Sequence, residues 1–195
     1  MYFMTIRSKQ RLNIFKPFNI VLVEPEIPPN TGNIARLCAA TNTKLHLIHP
    51  LGFEINDKHL KRAGLDYWNL LNIEEYESWD EFKFKHGIDQ IGIVEAPQWG
   101  ASTGGYDKSN FWFISTRGEK NIWNVEFNPG DYLIFGSETK GLREEILNLN
   151  KNAVVSIPMN GKTRSLNLST AVGIVLYEGL RQLTVEKKLI EVIPM

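Results

Sequence analysis

The junction between a polar loop and a long apolar run, within Asn160–Glu178, constrains this chain more than any other stretch. Ala171, Val172, Ile174, Val175, Leu176, Tyr177 and Leu180 leave no polar face wide enough for a surface helix. A helix apolar on all sides belongs inside a fold. Thr163, Arg164, Ser165, Asn167 and Ser169 crowd the loop ahead of it, more polar groups than a helix cap needs. A buried helix fronted by such a loop marks a site.

The rest of the chain reads as strands alternating with helices. Phe18–Val23 is a short apolar, β-branched run and predicts a buried strand. Pro25, Pro28 and Pro29 then interrupt regular structure, and Asn30 or Thr31 is placed to cap a following helix. In that helix Ile34, Leu37, Cys38 and Thr41 form the core stripe, while Asn33 and Arg36 share another face. Leu45–His49 predicts a second strand, Glu74–His86 a helix, and Ile88–Val94 and Phe111–Thr116 further strands. Asp57–Trp68 predicts a short helix or turn, and the glycines of Pro97–Asn110 mark a flexible loop. Tyr132–Phe135 and Val154–Ile157 are apolar strands, with a helical stripe of Leu142, Ile146 and Leu149 between them. This alternation predicts an α/β fold, a parallel sheet flanked by helices. Residues 18–195 read as one domain, preceded by a basic extension over 1–17.

Charge and composition narrow the function. Of 195 residues, Lys+Arg and Asp+Glu number 22 each, so contact with nucleic acid must come from local patches. The single cysteine, Cys38, excludes an internal disulfide and a cysteine metal cage, and points to a reducing compartment. No apolar run is long enough to span a bilayer, so no membrane partner is expected. Nothing clusters into a metal site: His46 and His49 fall on opposite faces of their strand. The first 23 residues carry Arg7, Lys9, Arg11 and Lys16 and no acid. Such a segment reads either as a plain extension of a cytoplasmic protein or as an organellar import signal.

Four loops follow apolar strands: Asn30–Arg36, Ser115–Gly118, Gly136–Leu142 and Asn160–Ser169. Ligands bind outside the carboxyl ends of the strands of an open parallel sheet, so these loops are expected to converge on one crevice. Neither a GxGxxG after the first strand nor a phosphate-binding GxxxxGK[ST] is present.

In order, three of these loops resemble the motifs of the SPOUT methyltransferases: Asn30, Gly32 and Arg36; Gly136, Glu138, Gly141 and Leu142; Ser165, Asn167, Leu168 and Ser169. The segments Glu24–Ala39, Lys61–Trp68 and Ser156–Val172 are similar to the TrmL (YibK-like) branch almost residue for residue. Residues 85–110 lie outside the likeness and read as a divergent insertion. The resemblance implies S-adenosylmethionine as cofactor and 2′-O-methylation of the pyrimidine at wobble position 34 of a tRNA anticodon. It also implies a deep C-terminal trefoil knot and a homodimer joined through the C-terminal helix. It carries cofactor contacts to Ile114, Gly136, Ile157 and Ser165.

The same resemblance makes Arg36 the catalytic arginine. A guanidinium keeps its proton in water, so clamping the target phosphate and stabilising the developing oxyanion suits it better than acting as a base. Asn30 is a candidate for orienting Arg36, Glu138 for orienting Arg36 or a cofactor group, and Ser165 and Asn167 for hydrogen bonding near the transferred methyl. For the RNA, Lys61, Arg62, Lys162 and Arg164 are expected on phosphates, as are Lys58 and Lys140. Tyr177 is expected to reach substrate or partner subunit, and Trp68, Trp99 and Trp123 are candidates for stacking on loop bases. Two other readings stand beside this one. One is a related 2′-O-methyltransferase for another tRNA position or ribosomal RNA; the other is a catalytically silent knotted RNA-binding module.

Overall fold

Strand β2 (Asn19–Val23) sits near the middle of the sheet because all but its first residue are buried, on both faces. The computed structural model describes residues 10–13, 17–54, 71–88, 110–185 and 191–194, and every structural statement below concerns these residues. The remaining strands are β3 (Lys44–Ile48), β4 (Ile73–Tyr76), β5 (Phe111–Ile114), β6 (Lys120–Asn121), β7 (Tyr132–Phe135) and β8 (Val154–Ser156). They form a seven-stranded sheet in the order β4-β3-β2-β7-β5-β8-β6, parallel at every pairing. Outside it, β1 (Gln10–Asn13) and β9 (Glu191–Pro194) pair antiparallel, which gives part of the expected extension a strand conformation. Asp57–Trp68 and Pro97–Ser109, with Lys58, Lys61, Arg62, Trp68 and Trp99, lie outside the described residues.

Helix α1 (Pro28–Thr41) and α4 (Leu168–Val185) pack together on one face of the sheet, where Ile34, Cys38, Val172, Val175 and Leu176 join the core. Helix α2 (Trp79–His86) covers part of the other face through Trp79 and Phe82. The single turn α3 (Glu144–Leu147) adds Ile146 and Leu147 to that core.

Three expectations are corrected. Helix α1 starts at Pro28, not after Asn30, because proline is tolerated in a first turn whose N–H groups lack partners anyway. Its N-cap is therefore Ile27, and neither Asn30 nor Thr31 caps it. The segment read as one helix over Glu74–His86 is a strand, Ile73–Tyr76, then a helix. Ser78 supplies the break by capping α2 through the Glu81 N–H, and β3 offers the strand its partner. The stripe Leu142–Leu149 yields only one helical turn. Strand β6 was not legible, being two residues long with no apolar pattern.

Helix α4 is less enclosed than its sequence predicts. Ile174 and Tyr177 are 38% and 51% exposed, so one apolar strip faces outward. Gly179 is buried against the chain's own Phe18: a Cβ there would lie 2.7 Å from the ring. Its small size thus serves packing within the subunit.

Residues 115–119 alone link β5 to β6, although β8 lies between these strands. The link crosses β8 at backbone contact. Ser115 N–H donates to Val155 O at 3.0 Å, and a Cβ on Gly118 would lie 2.5 Å from Val155 C. Gly118→Ala is therefore expected to lower stability by about 1–3 kcal/mol or more, read as a shift in urea midpoint.

A hydrogen-bonded polar chain joins the end of α2 to the sheet. His46 Nδ1 and Tyr76 Oη lie 2.8 Å apart, Tyr76 Oη and His86 Nε2 2.9 Å, and His86 Nδ1 and Tyr132 Oη 3.0 Å. Burial, helped by the nearby Lys44 charge, pushes the His46 imidazole down to about 3, and burial also lowers His86. An imidazole neutral when folded but protonated when unfolded contributes fully above about pH 6.5 and loses that contribution as pH falls toward 3. Between pH 6.5 and 5 stability is expected to fall with acidification, by up to about 1.4 kcal/mol per pH unit for each such group. His46→Phe should reduce that slope by about one proton, measured by urea unfolding across the window.

Candidate active site

The loops after β2, β5, β7 and β8 meet at the carboxyl end of the sheet around a cleft of about 480 Å³. Its walls pair apolar side chains, Ile114, Leu142, Ile157 and Leu168, with polar groups from Ser115–Arg117, Ser137–Lys140 and Arg164–Asn167. That mixture and size suit a small organic ligand held by an apolar body and a few polar contacts.

The loop after β7 turns back on itself. Gly141 N–H donates to Ser137 O at 2.9 Å, and Gly141 takes a φ of 67°, in the region that favours glycine. Gly136 faces this returning strand so closely that a Cβ would lie 2.0 Å from Gly141 C. The sharp turn puts Glu138 at the cleft.

Glu138 Oε2 accepts from Glu26 N–H at 2.8 Å; Oε1 accepts from Ile27 N–H at 3.2 Å and from Asn30 Nδ2 at 2.9 Å. The carboxylate thereby holds the two residues that lead into α1, beside the positive end of that helix. Asn30, buried, passes the connection on: its Oδ1 accepts from Asn167 Nδ2 at 2.9 Å. Asn167 Oδ1 caps α4, accepting from Ser169 N–H at 2.9 Å and Thr170 N–H at 3.3 Å. Glu138, Asn30 and Asn167 thus form one chain of bonds across three segments distant in sequence.

The structure gathers most of the expected site residues. Ile114, Gly136, Ile157 and Ser165 all line the cleft, as do Asn30, Glu138 and Asn167. Arg164 lines it from an exposed position, and Lys162 is exposed two residues earlier. Arg36 is not in the lining; it is exposed on α1, past the turn that Glu138 holds. Tyr177 is also absent from the lining, nine residues or about 14 Å along α4 from Leu168. Arg117 and Thr139 line the cleft from within the expected loops without having been singled out, and Met159 lines it from just outside them. Arg117 pairs with Glu144 at 2.6 Å, and no spacing in the chain announces that contact. Among the described residues no cluster of three His, Cys, Asp or Glu could hold a metal ion.

The sequence pattern of the SpoU rRNA Methylase family matches residues 17–177. The tRNA (cytidine(34)-2'-O)-methyltransferase of Saccharophagus degradans is 47% identical over 167 residues, covering 85% of this chain and 96% of that protein. The protein of the same name from Burkholderia ambifaria is 42% identical over 166 residues, covering 85% and 95%. A solved structure, described as structural insights into the 2-OH methylation of C/U34 on tRNA, has TM-score 0.71 and 40% identity, covering 86% of this chain and 96% of its own. The SpoU methyltransferase AviRb from Streptomyces viridochromogenes shares the fold at 22% identity, with TM-score 0.70 over 90% of this chain and 61% of its own. With the family pattern spanning most of its length and relatives above 40% identity beside it, this chain belongs to the SpoU rRNA methylase family.

Proposed function

We propose that this chain transfers a methyl group from S-adenosylmethionine to the ribose 2′-hydroxyl of the pyrimidine at tRNA anticodon position 34. The observation that carries the reading is the intact Glu138–Asn30–Asn167 chain at the cleft, in a protein matched over 85% of its length by relatives named for that reaction. The cleft fits the cofactor in kind: apolar Ile114, Ile157 and Leu142 suit an adenine, and exposed Ser165 with nearby backbone suits the polar end.

When bound, S-adenosylmethionine supplies an electrophilic methyl group. The residues of the chain then have three tasks. Glu138 and Asn30 fix the start of α1, which carries Arg36. Arg36 clamps the phosphate beside the target ribose and stabilises the negative charge that develops on the attacking oxygen. Ser165, on the lip of the cleft, offers a hydroxyl to the same region. Positioning of this sort can be worth about 7–11 kcal/mol of barrier in favourable cases.

Arg164 and Lys140 line the cleft, Lys162 lies two residues from Arg164, and all three are exposed and suit the RNA backbone. Trp123, 63% exposed beyond the cleft end of β6, suits stacking on a loop base. The outward strip of Ile174 and Tyr177 supports a homodimer through α4, with Tyr177 at the partner and not at the chemistry. The bridge of residues 115–119 over β8 supports the knotted path expected for the family.

The test is incubation with labelled S-adenosylmethionine and unmodified tRNA carrying cytidine or uridine at position 34. Label is expected in the RNA. Cofactor binding with no transfer to any RNA would instead favour a silent binding module.

A further inference from the structure

We propose that Glu26 and Thr139 are a positioning pair that locks the cofactor loop to the start of α1 during methyl transfer. The inference rests on the functional reading above, and on contacts which that reading leaves unused. Glu138 reaches across to the Glu26 N–H, and Glu26 reaches back. Thr139 Oγ1 donates to the Glu26 carboxylate, 2.8 Å from Oε1 and 2.7 Å from Oε2, and Thr139 N–H lies 3.3 Å from Oε2. Each loop therefore lends one carboxylate and receives the other.

The clasp sits where movement would matter. Glu26 lies between Pro25 and Pro28, in a segment whose backbone forms neither strand nor helix. Gly52 wedges it from behind: Gly52 N–H donates to Pro25 O at 2.9 Å, and a Cβ on Gly52 would lie 2.7 Å from Glu26 Cα. With the backbone held on that side, the side-chain clasp fixes how the loop meets Ser137–Gly141. Helix α1 begins two residues later and carries Arg36 as a rigid body. The bonds between Thr139 and Glu26 are exposed, so they contribute little to folding. Their effect belongs in the alignment of α1 with the cofactor loop, since small misplacements of reacting groups cost large factors in rate.

The test compares Thr139→Val, which removes the hydroxyl at constant shape, with Thr139→Ser, which keeps it. In Thr139→Val kcat is expected to fall about tenfold or more, with the KM for S-adenosylmethionine within about twofold and the melting temperature unchanged. Thr139→Ser should restore kcat. Exchange of the Ile27, Asn30 and Thr31 amide hydrogens should quicken in the valine variant and recover in the serine variant. Unaltered exchange overturns the clasp. Altered exchange with normal kcat, or a loss that serine does not rescue, overturns the positioning role. A wild-type protein that methylates no tRNA would sink the functional reading and this role together, whereas an active wild type beside an unaffected valine variant sinks this role alone.

Discussion

Arg36→Ala is expected to reduce methyl transfer by about 10²–10³-fold or more while leaving affinity for S-adenosylmethionine nearly unchanged. The two halves of this expectation have different origins. Loss of rate follows from removing the guanidinium that the proposed mechanism sets beside the reacting ribose, where a fixed donor stabilises developing negative charge. Retained affinity follows from geometry: Arg36 is absent from the cleft lining, whereas Ile114, Gly136, Ile157 and Ser165 form it. Single-turnover kinetics and calorimetry on the variant separate the two. A large loss of cofactor affinity would mean that Arg36 supports the cleft itself. Arg36→Lys should recover little, because a single ammonium cannot grip a phosphate with the paired donors of a guanidinium.

Gly136→Ala is expected to weaken cofactor binding severely. A methyl group at this position would lie 2.0 Å from Gly141 C and 2.2 Å from Leu142 N, and neither neighbour is a side chain that can turn aside. The turn must open, breaking the Gly141 N–H bond to Ser137 O and moving Glu138 away from Glu26, Ile27 and Asn30. We expect affinity to fall by about 100-fold or more, equivalent to about 3 kcal/mol, with a stability loss of about 1–3 kcal/mol in addition. Calorimetry, with circular dichroism to establish that the chain remains folded, decides the point. Undiminished binding by a folded variant would show that this loop does not shape the cofactor site.

The convergence of the loops was legible because it depends only on strand direction. Once strands alternate with helices the sheet is parallel, and every strand-to-helix loop opens at one end. Motif glycines and polar residues could therefore be assigned to a common cleft before any coordinates. Long-range partners were not legible. Asn30 looks like a helix cap by its place before an apolar stripe, yet Pro28 and Pro29 move the helix start forward and free its side chain for Glu138 and Asn167. Glu26 looks like a solvated charge in a proline-rich loop, and only the folded chain brings Thr139 to it. Helix propensity misled at Glu74–Tyr76, where pairing with β3 overrides local preference. Gly118 gave no sign of its role, because its constraint comes from β8 crossing beneath it.

Mapping the modified nucleotide by nuclease digestion and mass spectrometry tests the central claim most directly. Total tRNA lacking this modification would be incubated with the protein and S-adenosylmethionine. The expected result is a single methyl on the ribose of cytidine or uridine at position 34, absent when Arg36→Ala replaces the wild type. Methylation confined to another nucleotide, or carried on a base instead of a ribose, would contradict it.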